Sequence, residues 1–105
     1  MNPTTLSDAI DLGTQRYRTI VTNLHTALRL ISIATAAGYP VKADWYRKQA
    51  DRLDAGAATA KTFLTDVLGV SYADVHRIQH EARTAGKAAA ERTAEAQGWA
   101  TKVAA

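Results

Sequence analysis

The sequence predicts an all-α fold, an antiparallel up-down-up three-helix bundle with long first and third helices. Three observations carry this prediction. Apolar or small residues recur in alternating steps of four and three over three separate stretches, the spacing that lines one face of an α-helix. Glycine-centred breaks at Gly38-Tyr39-Pro40 and at Gly69-Val70-Ser71 divide those stretches, because a glycine suits a left-handed C-cap and a proline cannot continue a helix. The connections are short, and short turns make antiparallel neighbours.

The first helix is read over Leu6 to Ala37. Its stripe is Leu6, Ile10, Gly13, Tyr17, Ile20, Leu24, Ala27, Ile31 and Ala34, widened by Val21, Leu28 and Thr35. At ~1.5 Å per residue it would run about 50 Å. Thr4, Thr5 and Ser7 are candidate N-caps, and Asp8 and Asp11 lie where carboxylates favour a helix start. Gly13 costs roughly 1 kcal/mol relative to alanine and reads as a place where another backbone comes close. Leu30 and Ile33 fall off the stripe, so from Ala27 to Ala37 the helix is apolar nearly all round. Those two residues are therefore expected to be exposed in an isolated protomer and covered by a partner.

The second helix is read from Ala43 or Asp44 to Leu68, with Tyr46, Ala50, Leu53, Ala57, Ala60, Leu64 and Val67 as its stripe. Ser71, with Asp74 three residues later, opens the third. Its stripe is Val75, Ile78, Ala82, Ala85, Ala89, Arg92, Ala96, Trp99 and Val103. The register survives Gly86 and Gly98, which predicts one long helix fraying after Gln97.

With 105 residues, the chain has room for one domain (1–105) and one modest core. A content of 47% hydrophobic and 22% charged residues excludes a disordered chain. The absence of cysteine excludes disulfides and thiolate metal sites. No run of about 18 apolar residues offers a membrane span, and the N-terminus lacks a charged segment followed by an apolar one. The expected compartment is the cytoplasm. The residue choice is rich in Ala, Thr, Arg and Asp and poor in Lys, Asn and Ile. It is that of a GC-rich coding genome and points to a bacterium of that kind or one of its phages. The turn Gly38-Tyr39-Pro40 is not the Trp-x-Gly of the small secreted helical-hairpin proteins whose size the chain shares, and no family resemblance is drawn.

His76 and His80, at i and i+4, share a helix face, but no third ligand follows at a zinc-site spacing. They are read as solvated surface histidines and His25 as a boundary residue, so no metal and no cofactor is expected. No nucleophile constellation and no phosphate-cradling glycine loop occurs, which predicts a non-enzymatic protein. Asp51 and Asp54 alternate with Lys48 and Arg52 as on a solvated, ion-paired face. The net charge of +3 is mild beside dedicated nucleic-acid binders. Threading places Arg16 and Arg18 at the same end as Arg77, Arg83, His76 and His80, and Lys42, Arg47, Lys48 and Arg52 at the other. It also brings Tyr39, Trp45, Tyr46 and Trp99 together, where with Leu30, Ile33 and Val41 they would form an apolar patch. Trp and Tyr are the residue types that anchor interfaces. The expected function is a protein–protein interaction or assembly module. It would self-associate, or serve as a small subunit of a larger, phage-related complex. Its interface is expected to be Leu30, Ile33, Tyr39, Val41, Trp45 and Trp99, with Trp99 as anchor. The alternative is a nucleic-acid-binding module using Arg16, Arg18, Arg77 and Arg83. No membrane partner is expected.

Overall fold

A computed structural model describes residues 5–99. It is a bundle of three α-helices: α1 (Leu6–Ala36), α2 (Pro40–Thr62) and α3 (Tyr72–Ala96). A π-helical turn, Phe63–Val67, extends α2 without a break. Side chains pair in rising order along α1 and α3, as in Arg18–Glu81 and Arg29–Glu91, so these two helices run parallel. α2 runs against both, with Gly56 opposite Ile20 and Leu64 opposite Gly13. The chain is the up-down-up bundle expected, 51 × 30 × 20 Å in extent. No helix among the described residues is long and apolar enough to cross a membrane.

The helix ends follow from local chemistry. Thr5 is the N-cap of α1: its hydroxyl accepts from the Asp8 N–H at 3.1 Å, and Asp8 accepts from the Thr5 N–H at 3.4 Å, a complete capping box. The Ser71 hydroxyl accepts from the Asp74 N–H at 3.1 Å and caps α3. α1 ends in a Schellman motif, with Gly38 at φ +84° and the Tyr39 N–H reaching back to the Ala34 carbonyl at 2.8 Å. α3 ends in the same way, with Gly98 at φ +78° and the Trp99 N–H on the Ala94 carbonyl at 2.7 Å. That motif corrects the expected length of the third helix. It runs straight through Gly86 but stops at Ala96, and Val103 lies outside the described residues. α2 starts earlier than expected, at Pro40, because proline fits the first turn of a helix, where no N–H is needed.

The buried stripes also differ from those expected. From Val21 the buried residues of α1 come in steps of three: Val21, Leu24, Ala27, Leu30 and Ile33. Each such step falls about 60° short of a full turn, so the packed face moves around α1 along its length. On α3 the steps are of four, through Ile78, Ala82, Gly86, Ala90 and Ala94; Ala85, Arg92 and Ala96 are exposed and Ala89 is half-buried. Rows of three on one helix meeting rows of four on another is a common way for helices to interlock. On α2, Ala50, Ala57 and Leu64 are buried as expected. The π turn then adds a residue, so Val67 points to solvent and Leu68 packs inward instead.

Two cores result, on different faces of α1. One holds Tyr17, Val21, Leu64, Val75 and Ile78. The other holds Leu30, Ile33 and Ala34 with Ala43, Ala90, Ala94 and Trp99. A third, smaller cluster of Leu24, Ala27 and Ala50 lies between them along α1. Between the cores α1 and α3 touch backbone to backbone: a Cβ on Gly86 would stand 2.5 Å from the Thr22 carbonyl oxygen and 2.8 Å from the His25 Cβ. Gly13, where a close backbone was expected, meets a side chain instead, the Leu64 Cδ2 at 2.9 Å from its notional Cβ.

Candidate functional site

The aromatic end is built by the two Schellman motifs. Each places an aromatic ring directly after its glycine, and the two rings, Tyr39 and Trp99, stack with centroids 5.3 Å apart. Tyr46 meets Trp99 edge-on at 6.5 Å, and Trp45 meets Tyr46 edge-on at 5.0 Å. The convergence expected from threading is present, but its exposure is not as expected. Leu30 is 3% and Ile33 1% exposed, so both are core, because the migrating face of α1 turns them onto Ala90, Ala94 and Trp99. Trp99 is only 4% exposed and closes the fold over them, which removes it as an anchor for a partner. Tyr39, Val41 and Trp45 remain at the surface, Val41 at 81% and Trp45 at 55% exposure. Val41 and Trp45 stand one turn apart on α2 and, with Lys42 and Tyr46, border a depression of about 270 Å³.

Of the four arginines of the nucleic-acid reading, Arg18 and Arg77 stand together: Arg18 pairs with Glu81 at 3.3 Å, and Arg77 reaches the same carboxylate at 3.9 Å and Asp74 at 3.3 Å. Arg16 borders a separate depression with Leu12, Thr19 and Ile20. Arg83 lies in a cleft of its own.

That cleft is the feature the sequence reading missed. α2 and α3 each pack along α1 and hardly against each other among the described residues. Between them a space of about 450 Å³ opens, floored by α1. All three histidines of the chain line it, His25 from α1 and His76 and His80 from α3, together with Lys61 and Asp54 from α2 and Arg83 from α3. On its floor the Gln79 amide donates to the Tyr17 hydroxyl at 2.6 Å. Burial pushes the Tyr17 phenol up, with the Gln79 bond acting the other way, so the group keeps its proton. Burial also holds the His25 imidazole below its usual range, and the positive charges of Arg83 and Lys87 lower it further. Among the described residues neither Lys61 nor Arg83 has a carboxylate within ion-pair distance. No three His, Asp or Glu side chains among them are grouped so as to hold a metal ion. The i, i+4 pair His76 and His80 was visible in the sequence, and both are solvated. Their sharing a cleft with His25 depends on how far apart α2 and α3 stand, which no residue pattern records. No family model matches the chain, and no curated protein or solved structure shows significant similarity to it.

Proposed function

We propose that the protein is a non-enzymatic interaction module that self-associates or joins a larger assembly through the first turns of α2. The observation that carries this reading is the exposure of Val41 and Trp45 on a rigid base. Pro40 fixes the start of the helix, and Trp45 leans on Tyr46, which is itself held against the buried Trp99. A large ring held in water at fixed geometry loses little conformational freedom on docking, the property that makes tryptophan an interface anchor. A second copy is the simplest occupant, because ridge and depression lie on one patch and can complement each other across a two-fold axis. Three side chains make a small contact, so association is weak and concentration-dependent. A bacterial or phage accessory protein is a setting in which such a module would serve.

Sedimentation equilibrium over a dilution series tests it. The wild-type mass should rise with concentration, and Trp45→Ser should hold the protein monomeric with its helical signal intact. A wild-type chain that stays monomeric to millimolar concentration overturns self-association. The nucleic-acid reading is less well supported, since Arg18 and Arg77 already have carboxylate partners. It predicts oligonucleotide binding that weakens steeply with salt.

A further inference from the structure

The cleft between α2 and α3 lies at the other end of α2 from Val41 and Trp45, and its chemistry differs from theirs. Its two walls each carry a cation, Lys61 on α2 and Arg83 on α3, and neither has an ion-pair partner among the described residues. Arg18, Arg29, Arg47 and Arg77 have partners, whereas Arg16, Arg52, Arg92, Lys42, Lys48 and Lys87 are, like Lys61 and Arg83, outside the ion pairs of the described residues. What sets Lys61 and Arg83 apart is that they face one cleft. Three imidazoles line the same space, and among the described residues Asp54 is the one carboxylate that does. The floor is split in character. Val21, Leu24 and Ala57 are apolar, while the Tyr17 hydroxyl, which accepts from Gln79, keeps its own hydrogen to donate. At about 450 Å³ the space falls within the ordinary range of small-molecule sites, ~300–1,000 Å³.

We propose that this cleft binds a small organic phosphate, its anionic head held between Lys61 and Arg83 beside the histidines and its apolar body on Val21 and Leu24. A tetrahedral phosphate accepts hydrogen bonds on several sides, and here Lys61 stands on one wall and Arg83 on the other. The guanidinium of Arg83 can bind it in a two-pronged way. This inference does not rest on the docking reading, and Trp45→Ser leaves the cleft untouched.

The test is a titration of the full chain followed by the NMR signals of the histidine rings, at constant ionic strength. The probes are inorganic phosphate and phenyl phosphate. The expected result is a saturable shift at His25, His76 and His80, with phenyl phosphate binding more tightly than inorganic phosphate. Arg83→Ala should weaken phenyl phosphate binding about tenfold, the scale of one charge-assisted contact, and Arg16→Ala should leave it unchanged. Because Arg83 is exposed, its replacement leaves the fold intact, which an unchanged circular dichroism spectrum verifies. Shifts that grow linearly without saturating, or equal loss in Arg16→Ala and Arg83→Ala, would overturn the site. Equal affinity for the two probes would overturn the apolar half of the proposal.

Discussion

The two halves of this bundle use the same three helices and fill themselves by different means. In the half that holds the N-terminus of α1, bulk comes from within the helices: Tyr17, Leu64, Val75 and Ile78 meet in the middle. In the other half the helix walls carry the alanines Ala34, Ala43, Ala90 and Ala94, and the space is closed by Trp99, a residue just beyond the end of α3. The first half leaves a polar cleft where α2 and α3 stand apart, and the second leaves an apolar ridge where α2 begins. A thin, alanine-rich chain thus has two distinct surfaces, and each follows from how its half solves the packing problem.

The strongest way to break this comparison is to attack the second core. Leu30→Ser removes a buried side chain that the sequence alone placed at the surface. It should cost about 2–5 kcal/mol, the range for truncating a buried leucine, with the new hydroxyl able to bond the carbonyl one turn back. For a domain of this size that is a large share of total stability. Chemical denaturation measures it, and an unchanged midpoint would mean that the second half has no true core.

Gly86→Ala probes the joint between the halves. The added methyl would meet backbone atoms of Thr22 and Thr26 at 2.5 and 3.0 Å, which cannot move independently of α1. Overpacking of this kind costs about 1–3 kcal/mol, against the roughly 1 kcal/mol that alanine gains in helix propensity. Gly13→Ala meets only the ends of the Leu64 and Leu68 side chains, at 2.9 and 3.3 Å, which can shift, so it should come out close to neutral. Equal melting temperatures for the two variants would show that α1 and α3 are not in close contact at Gly86.

The helix ends that were legible rest on local signals: a capping residue among Thr4, Thr5 and Ser7, Ser71 with Asp74, and the glycines at 38 and 69. The start of α2 at Pro40 comes a turn earlier than expected. The direction in which a face turns is not local. A stripe read in alternating fours and threes assumes a partner that stays on one side. α1 instead passes its packed face from Tyr17 round to Ile33, so Leu30 and Ile33, off the assumed stripe, are core. Gly98 was readable as a break, but the surviving register argued for continuation. The ring after it decides the matter, because Trp99 can cover Leu30 and Ile33 only if the helix stops. The exposed end of the site, Val41 and Trp45, was visible from residue type alone. The cleft was not, since it is a property of the gap between two helices.

Tyr39→Ala tests the plug more gently than Leu30→Ser. Trp99 keeps its contacts with Tyr46 and the alanines and loses one stacked ring. Such a pair is worth about 0.5–1.5 kcal/mol beyond the area it buries. The variant should therefore remain folded, with a melting temperature lowered by a few degrees. No change would place the closure of this half on Tyr46 and the alanines alone.

The smallest effect expected belongs to the cleft half and comes from acid. His25 is lowered from its ordinary value by burial and then by Arg83 and Lys87; the other charged groups lining its cleft are His76 and His80 on α3 and Asp54 and Lys61 on α2. In the unfolded chain His25 takes up its proton at a pH near 6.5, while in the folded chain it does so only at lower pH. The unfolded state therefore binds more protons between those two values, and stability must fall as the pH is lowered through that window. Above it the contribution is fully present, and below the folded value it no longer changes. His25→Gln should flatten this part of the stability–pH curve, which denaturation at a series of pH values measures. A variant that keeps the full slope would mean that the pH dependence does not come from the floor of the cleft.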